Sequence, residues 1–546
     1  MKRLPIGIED FKELIDKDCY YVDKTSFITD IINEKVALYT RPRRFGKTLN
    51  MSMLYYFFSM KQKDNAYLFN DMDIVNHTDS LQYQNQYPVI FITLKDMKKH
   101  TFENQKAMFA ILIQDIVRKN QELLESEELN TFDKEQLIAY YRRSQSDVDL
   151  QNALKFLCGC LKQHYHKDVI LLIDEYDVPL QSAYLKGYYD EMADFLSGMF
   201  SAALKTNDAL EKGILTGCLR IAKESIFTGL NNFSVYSISE DQSSTSFGFT
   251  PKETITLLEH YDLKSYEQTI KEWYDGYLFG NKEIYNPWSV LKYVQKIKQG
   301  NDTPESFWAN TSGNDIIYQY IQKADSQMRT DFDTLTSGGR ITQTVRYELT
   351  YREMDQINNI YSFLLFTGYL KAIACVDKDK AVYQLMIPNK EINRIYTLIF
   401  EEWFQEQVKA KSRTLVDAFM KEDVETANEV LNTILFKSIS YFDYDEKFYH
   451  GMLVGMLSDY QIVSNQETGN GRSDIMVLPA YKKKRGLVLE VKVATKEKDI
   501  EITAQRACHQ IREMNYIDGL QERGYTDIIG YGIAFYKKTC VIMLAK

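Results

Sequence analysis

Gly46, Lys47 and Thr48 close a basic turn, Arg41-Pro42-Arg43-Arg44-Phe45. The turn lies between a β-branched and aromatic run, Val36 to Thr40, and a helical pattern of Leu49, Met51, Met53 and Leu54. Strand, turn ending in Gly-Lys-Thr, then helix is the layout of a loop that cradles phosphates. Backbone N–H groups from Arg43, Arg44, Phe45 and Gly46 onward would point at phosphate oxygens, helped by the helix N-terminus. Lys47 would reach the β- and γ-phosphates of ATP, and Thr48 would place its hydroxyl on Mg2+. One position departs from the pattern: Arg41 stands where such loops carry glycine, and a glycine there supplies turn freedom that arginine lacks.

A second run supports the first. Val169 to Ile173 is a continuous apolar stretch that ends in Asp174-Glu175, suited to a buried parallel strand with its acids at the carboxyl end, where ligands sit in open α/β sheets. Asp174 is placed to hold Mg2+, and Glu175 to polarise the water that attacks ATP. The strand candidate Gly213 to Gly217 carries Thr216 where a γ-phosphate sensor would lie, and Arg220 and Lys223 follow, either able to reach a phosphate.

The last hundred residues carry a different set. Glu446 fronts an apolar-faced helix through Leu457, a Gly-rich turn feeds a strand entered at Asp474, and a Lys-rich turn at 482–485 returns into Gly486-Leu-Val-Leu-Glu490-Val-Lys492. Along a strand Glu490 and Lys492 project to one face, beside Asp474 on the adjacent strand. An acid on one strand and Glu-x-Lys on its hairpin partner resembles the PD-(D/E)XK arrangement, here without the proline. Asp474, Glu490 and the carbonyl of Val491 would make an oxygen-rich Mg2+ site, with Mn2+ a second candidate, and Glu446 would add a helix carboxylate. Such a metal polarises a phosphate and activates water, and Lys492 would orient that water or stabilise developing charge. Arg472 could contact a nucleic-acid backbone. His450 and His509 fit packing or substrate contact better than metal ligation, and Glu467 reads as a turn residue.

Positioning two such sites needs more than one core, and 546 residues predict two to four domains. Nine prolines and no Ser/Gly/Pro-rich tract argue against long disordered linkers. The net charge of -10 does not advertise a nucleic-acid binder, but binding depends on local patches. The basic run Lys482 to Arg485 reads equally as a solvated hairpin turn. No stretch approaches the roughly 20 apolar residues of a membrane span and no signal-peptide core is visible, so a cytoplasmic protein without membrane contact is expected. The seven cysteines are scattered. Cys158-Gly-Cys160 with His164 and His166 invites a zinc reading, but residues two apart on a helix point to different sides, which favours helix packing.

The strings RPRRFGKT (41–48), IDEYD (173–177) and YDGYLFGNKEIYNPWSVL (274–291), with LPIGIEDF and YVDKT near the start, resemble the bacterial AAA-ATPase-like family that is often joined to a C-terminal PD-(D/E)XK nuclease-superfamily domain. Arginine at the first loop position is that family's own habit. The resemblance covers nearly the whole chain and is weakest between about 326 and 443. It implies an α/β P-loop core with a parallel sheet at 1–249, a helical lid at 250–325, a mostly helical connector at 326–440 and an α/β restriction-endonuclease-like domain at 441–546. The connector alternates helical and strand-like stretches, among them Ile360 to Thr367. Gln510 falls where related nucleases carry a helical Gln-to-Tyr motif beside the site. The expectation is therefore an ATPase coupled to a Mg2+-dependent nuclease acting on nucleic acid, DNA before RNA, in a defence or mobile-element setting, with homo-oligomerisation compatible. The alternative is an ATP-dependent switch whose C-terminal domain binds nucleic acid or protein without cutting.

Overall fold

The structure is a computed structural model that describes residues 1–219, 227, 233–308, 318, 326–349, 351–355, 359–437, 446–457, 462–468, 471–479 and 481–545. The chain folds as two compact units, Met1–Asn310 with Arg340–Asn393, and Thr311–Gly339 with Arg394–Lys546. The stretch read as a connector is thus divided between them.

In the first unit the apolar runs become strands because they can be buried on both faces. The strands β1 (Val36–Thr40), β2 (Val89–Thr93), β3 (Val169–Asp174), β4 (Leu210–Gly217) and β5 (Phe233–Tyr236) form one five-stranded sheet in the order β2-β3-β4-β1-β5. Every pairing in it is parallel. β4 lies between the strand that feeds the Gly-Lys-Thr turn and the strand that ends in Asp174. The register sets Tyr39 beside Thr216 and Ile173 beside Leu215, which brings the ends of all three strands to one edge. The helix Lys47–Phe58 leaves that edge directly, with Met51, Met53, Leu54, Phe57 and Phe58 buried.

The rest of this unit combines helices with short strands. A short hairpin, β6 (Tyr277–Phe279) and β7 (Lys282–Ile284), precedes the helix Pro287–Lys298, whose Asn286 cap accepts the Ser289 N–H at 3.1 Å with proline in the first turn. Strands β8 (Ile341–Thr344), β9 (Lys371–Asp377) and β10 (Val382–Met386) make an antiparallel sheet in the order β8-β10-β9. Ile360–Phe366 is a helix buried on every side, a case in which an apolar run carries no usable period.

The second unit holds a five-stranded mixed sheet in strand order: β11 (Ile462–Thr468), β12 (Gly471–Val477), β13 (Gly486–Val493), β14 (Ile528–Tyr536) and β15 (Thr539–Ala545). Only β13 and β14 are parallel, and the helix Ile500–Glu513 makes the crossover between them. That helix lies close because Gly532 leaves room: a Cβ there would come within 2.6 Å of Ala504 O and 2.5 Å of Cys508 N. The β15 edge is closed by side chains of the helix Val424–Lys437. Asn428 and Asn432, one turn apart, each donate to and accept from the backbone of Ile542 and Cys540 respectively. An otherwise open strand edge is thereby satisfied.

Candidate functional site

The phosphate loop is built on one inward-turned side chain. Arg41 is fully buried, and its guanidinium donates to the carbonyls of Thr40 (2.8 Å), Tyr236 (2.8 Å) and Ser243 (3.2 Å). It also lies 5.1 Å over the ring of Phe247 and 5.2 Å over that of Phe279. Burial brings its pKa down to about 10. The backbone freedom expected to be needed at this position is used elsewhere, at Arg44 (φ 67°) and Gly46 (φ 84°).

The other loop side chains are engaged with protein as well. Arg43 donates to Gln181 Oε1 at 2.6 Å, and Arg44 lies 4.5 Å over Trp288. Phe45 is buried edge-on to Tyr277. What Arg43 to Gly46 can offer a phosphate is therefore backbone N–H. Lys47 is almost wholly buried, its ammonium 2.9 Å from Pro42 O, 3.1 Å from Arg41 O and 3.6 Å from Cys218 Sγ.

Thr48, Asp174 and Thr216 meet across three elements. Thr48 Oγ1 donates to one carboxylate oxygen of Asp174 at 2.7 Å, and Thr216 Oγ1 to the other at 2.6 Å. Burial raises the Asp174 pKa, and the Thr216 hydrogen bond opposes the rise. Glu175 follows with φ 54°, a left-handed turn that an L side chain adopts only when its surroundings impose it. A hydroxyl and a carboxylate side by side are hard oxygen donors of the kind Mg2+ takes. Three contributors were not singled out from sequence. Asp177 accepts the N–H groups of Cys218 and Leu219, Tyr176 donates to Leu219 O, and Cys218 touches Lys47. Together they hold the turn that follows β4. Arg220 and Lys223 lie outside the described residues.

In the second unit β12 and β13 pair antiparallel from Val477↔Leu487 to Ile475↔Leu489, which sets Asp474 next to Glu490. The Oδ2 of Asp474 accepts the Val491 N–H at 2.8 Å, and its backbone carbonyl is 3.1 Å from His450 Nε2. Glu490 is 2% exposed, and its Oε2 has no hydrogen-bond partner among the described residues. Burial first, and the neighbouring Asp474 second, push its pKa up to about 7. Lys492 Nζ stands 3.6 Å from Glu490 Oε1.

Glu446 is exposed in the first turn of the helix Glu446–Leu457 and shares an open cleft with Lys492. Burial raises the pKa of Tyr516; hydrogen bonding with Gln510 opposes the rise, and the charges of Glu490 and Asp474 add to it. Among the described residues no three His, Cys, Asp or Glu side chains gather into one metal-sized group, so what converges is the Asp474–Glu490 pair with Lys492. An unpartnered buried carboxylate oxygen beside a second carboxylate is what a hard cation would satisfy, and the pair fits that role.

The remaining sequence candidates are placed as follows. His509 is exposed and pairs with Glu513 when protonated. The side chains of Arg472 and Glu467 lie outside the described residues. Cys158 and Cys160 are buried along one helix, while His164 bonds Ser126 Oγ at 2.8 Å. Arg485 of the Lys-rich turn is tied to Asp527 and Glu422. Among the described residues no helix is long and apolar enough to cross a membrane.

Comparison with known proteins agrees with this division. Residues 5–227 match the family described as predicted AAA-ATPase, and residues 444–544 match the PD-(D/E)XK nuclease superfamily. An uncharacterized protein in the vnfD 5′ region of Azotobacter chroococcum mcd 1 is 23% identical over 559 residues, spanning 96% of this chain and 94% of its own. The chain thus joins an N-terminal region that matches the predicted AAA-ATPase family to a C-terminal region that matches the PD-(D/E)XK nuclease superfamily.

Proposed function

We propose that this protein is a cytoplasmic ATPase coupled to a Mg2+-dependent nuclease that cleaves DNA. The observation that carries the nuclease half is the buried Glu490, one oxygen of which has no partner among the described residues, set between Asp474 and Lys492. A binding module gains little from keeping two acids in mutual repulsion in a dry place. A divalent cation held by Asp474 and Glu490 would polarise the scissile phosphate and ease deprotonation of water. Lys492 would orient that water or stabilise charge on the phosphate, and Gln510 would assist beside the pair. In the ATPase half Thr48 and Asp174 would hold Mg2+, Lys47 would reach the phosphates, Thr216 keeps Asp174 in position and Glu175 would activate water.

Cleavage of linear and circular DNA in Mg2+ or Mn2+, with and without ATP, beside Asp474→Ala tests this. Cleavage lost in the variant establishes the nuclease, and cleavage by a Lys47→Ala chain that is indifferent to ATP removes the coupling. The second reading, a nucleotide switch that binds without cutting, draws support from the absence of a three-carboxylate group among the described residues. ATP binding with no cleavage under any condition would select it.

A further inference from the structure

The cleft beside Lys492 has a second wall that the chemistry above does not use. It is the flank of the helix Ile500–Glu513, where exposed Ile502 and Arg506 and the largely buried Thr503 line the cleft, with Asp499 at its cap. The spacing of these residues is that of one helix face, and Gln510 is the next position along it. The opposite face, Ala504, Ala507, Cys508 and Ile511, is buried.

Arg506 is exposed and has no hydrogen bond or ion pair among the described residues, whereas its helix neighbours His509 and Arg512 are engaged by Glu513 and by Cys508 O. Ile502, one turn earlier, leaves 51% of its surface in solvent on the cleft side. An unpaired arginine on a surface is ordinary. One that shares a cleft with Lys492 and a bare apolar side chain, four residues from Gln510, is placed along a track. Four residues of helix rise about 6 Å, a step of the same order as the distance between neighbouring phosphates on one strand.

We infer that Arg506 and Ile502 form a subsite for the nucleotide that flanks the scissile phosphodiester: the guanidinium holds the neighbouring phosphate, and the isoleucine packs on the sugar or base. The planar fork of arginine matches two phosphate oxygens at once. Glu446 and Asp499 also line this cleft and offset the charges of Lys492 and Arg506, so the subsite works by fitted contact and not by a general positive field. This inference rests on the nuclease reading and adds a residue that binds but does no chemistry.

The test uses the full chain carrying Asp474→Asn, so that bound DNA is not cut, with and without Arg506→Ala or Arg506→Lys. The affinity for a labelled oligonucleotide is followed against salt. Arg506→Ala is expected to weaken binding about tenfold and to reduce the slope of log K against log salt by about 1. Arg506→Lys should keep the slope and recover part of the affinity. In the cleaving chain Arg506→Ala should raise KM and leave kcat in place. An unchanged affinity, or a weaker one with an unchanged slope, overturns the subsite alone. Failure of the parent chain to bind any nucleic acid overturns the subsite and the nuclease reading together.

Discussion

Val491 donates its backbone N–H to Oδ2 of Asp474 at 2.8 Å, two residues past Leu489, where the β12–β13 pairing ends. The carboxylate does the work of a strand partner as well as facing Glu490. Charge and hydrogen bonding can therefore be separated by substitution. Asp474→Asn keeps an acceptor for Val491 and removes one charge next to Glu490, so it should abolish cleavage with stability within about 0.5 kcal/mol of the parent. Asp474→Ala leaves the Val491 N–H unpaired in a buried strand and should cost about 1–3 kcal/mol besides. Denaturant unfolding beside a cleavage assay reads both, and equal losses of stability in the two variants would refute the structural half.

Restoring the expected glycine at Arg41 should harm the ATPase site. Arg41→Gly strands three carbonyls, removes a guanidinium packed between Phe247 and Phe279 and frees a backbone that does not use the freedom. The loss should be about 3–5 kcal/mol, in the range of large buried truncations, with ATP binding lost in parallel. Arg41→Lys keeps the charge but reaches fewer of the carbonyls and should fall between. A glycine variant that binds ATP as well as the parent at unchanged stability would show that the inward arginine is dispensable.

The Thr48–Asp174–Thr216 arrangement separates metal affinity from water activation. Thr216→Val removes the hydroxyl from one oxygen of Asp174, so the buried carboxylate should ionise less readily and the Mg2+ needed for ATP hydrolysis should rise about 10- to 100-fold. Glu175→Gln should leave ATP binding intact and stop turnover. Mg2+ titrations of hydrolysis beside equilibrium ATP binding distinguish the two. A glutamine variant that still turns over would take the water-activating role away from Glu175.

How much of this could be read from residues alone depends on the range of the interaction. The Gly-Lys-Thr turn, the strand ending at Asp174 and the alternation that aligns Asp474, Glu490 and Lys492 are local patterns, and the corresponding strands and turn are present in the structure. The inward turn of Arg41 was hidden because its partners Tyr236, Ser243, Phe247 and Phe279 lie some two hundred residues away. The insertion of β4 between β1 and β3 is a pairing choice that no single strand advertises. The joining of 340–393 to the first unit was equally out of reach, since a short apolar run such as Ile360–Phe366 fits a strand or a helix and its partner decides.

Glu391 offers a test of stability against pH in the first unit. Its Oε1 accepts from Ser289 Oγ (3.0 Å), Phe307 N (2.8 Å) and Trp308 N (3.1 Å), while its Oε2 is buried with no partner among the described residues. Burial raises its pKa from 4.5 to about 7, against the pull of those hydrogen bonds and of Arg44. The folded chain then binds a proton that the unfolded chain releases between those two values. The stability from this group is full below about pH 4.5 and is lost as pH rises through about 7, a change of about 3 kcal/mol. Glu391→Gln keeps the Oε1 acceptor and cannot ionise. It should match the parent near pH 5 and exceed it near pH 8, as judged by thermal or denaturant midpoints at about those two values. Glu391→Ala, which strands the two N–H groups, should be weaker than the parent at both. A glutamine variant that follows the parent's pH profile would mean that another group sets the slope.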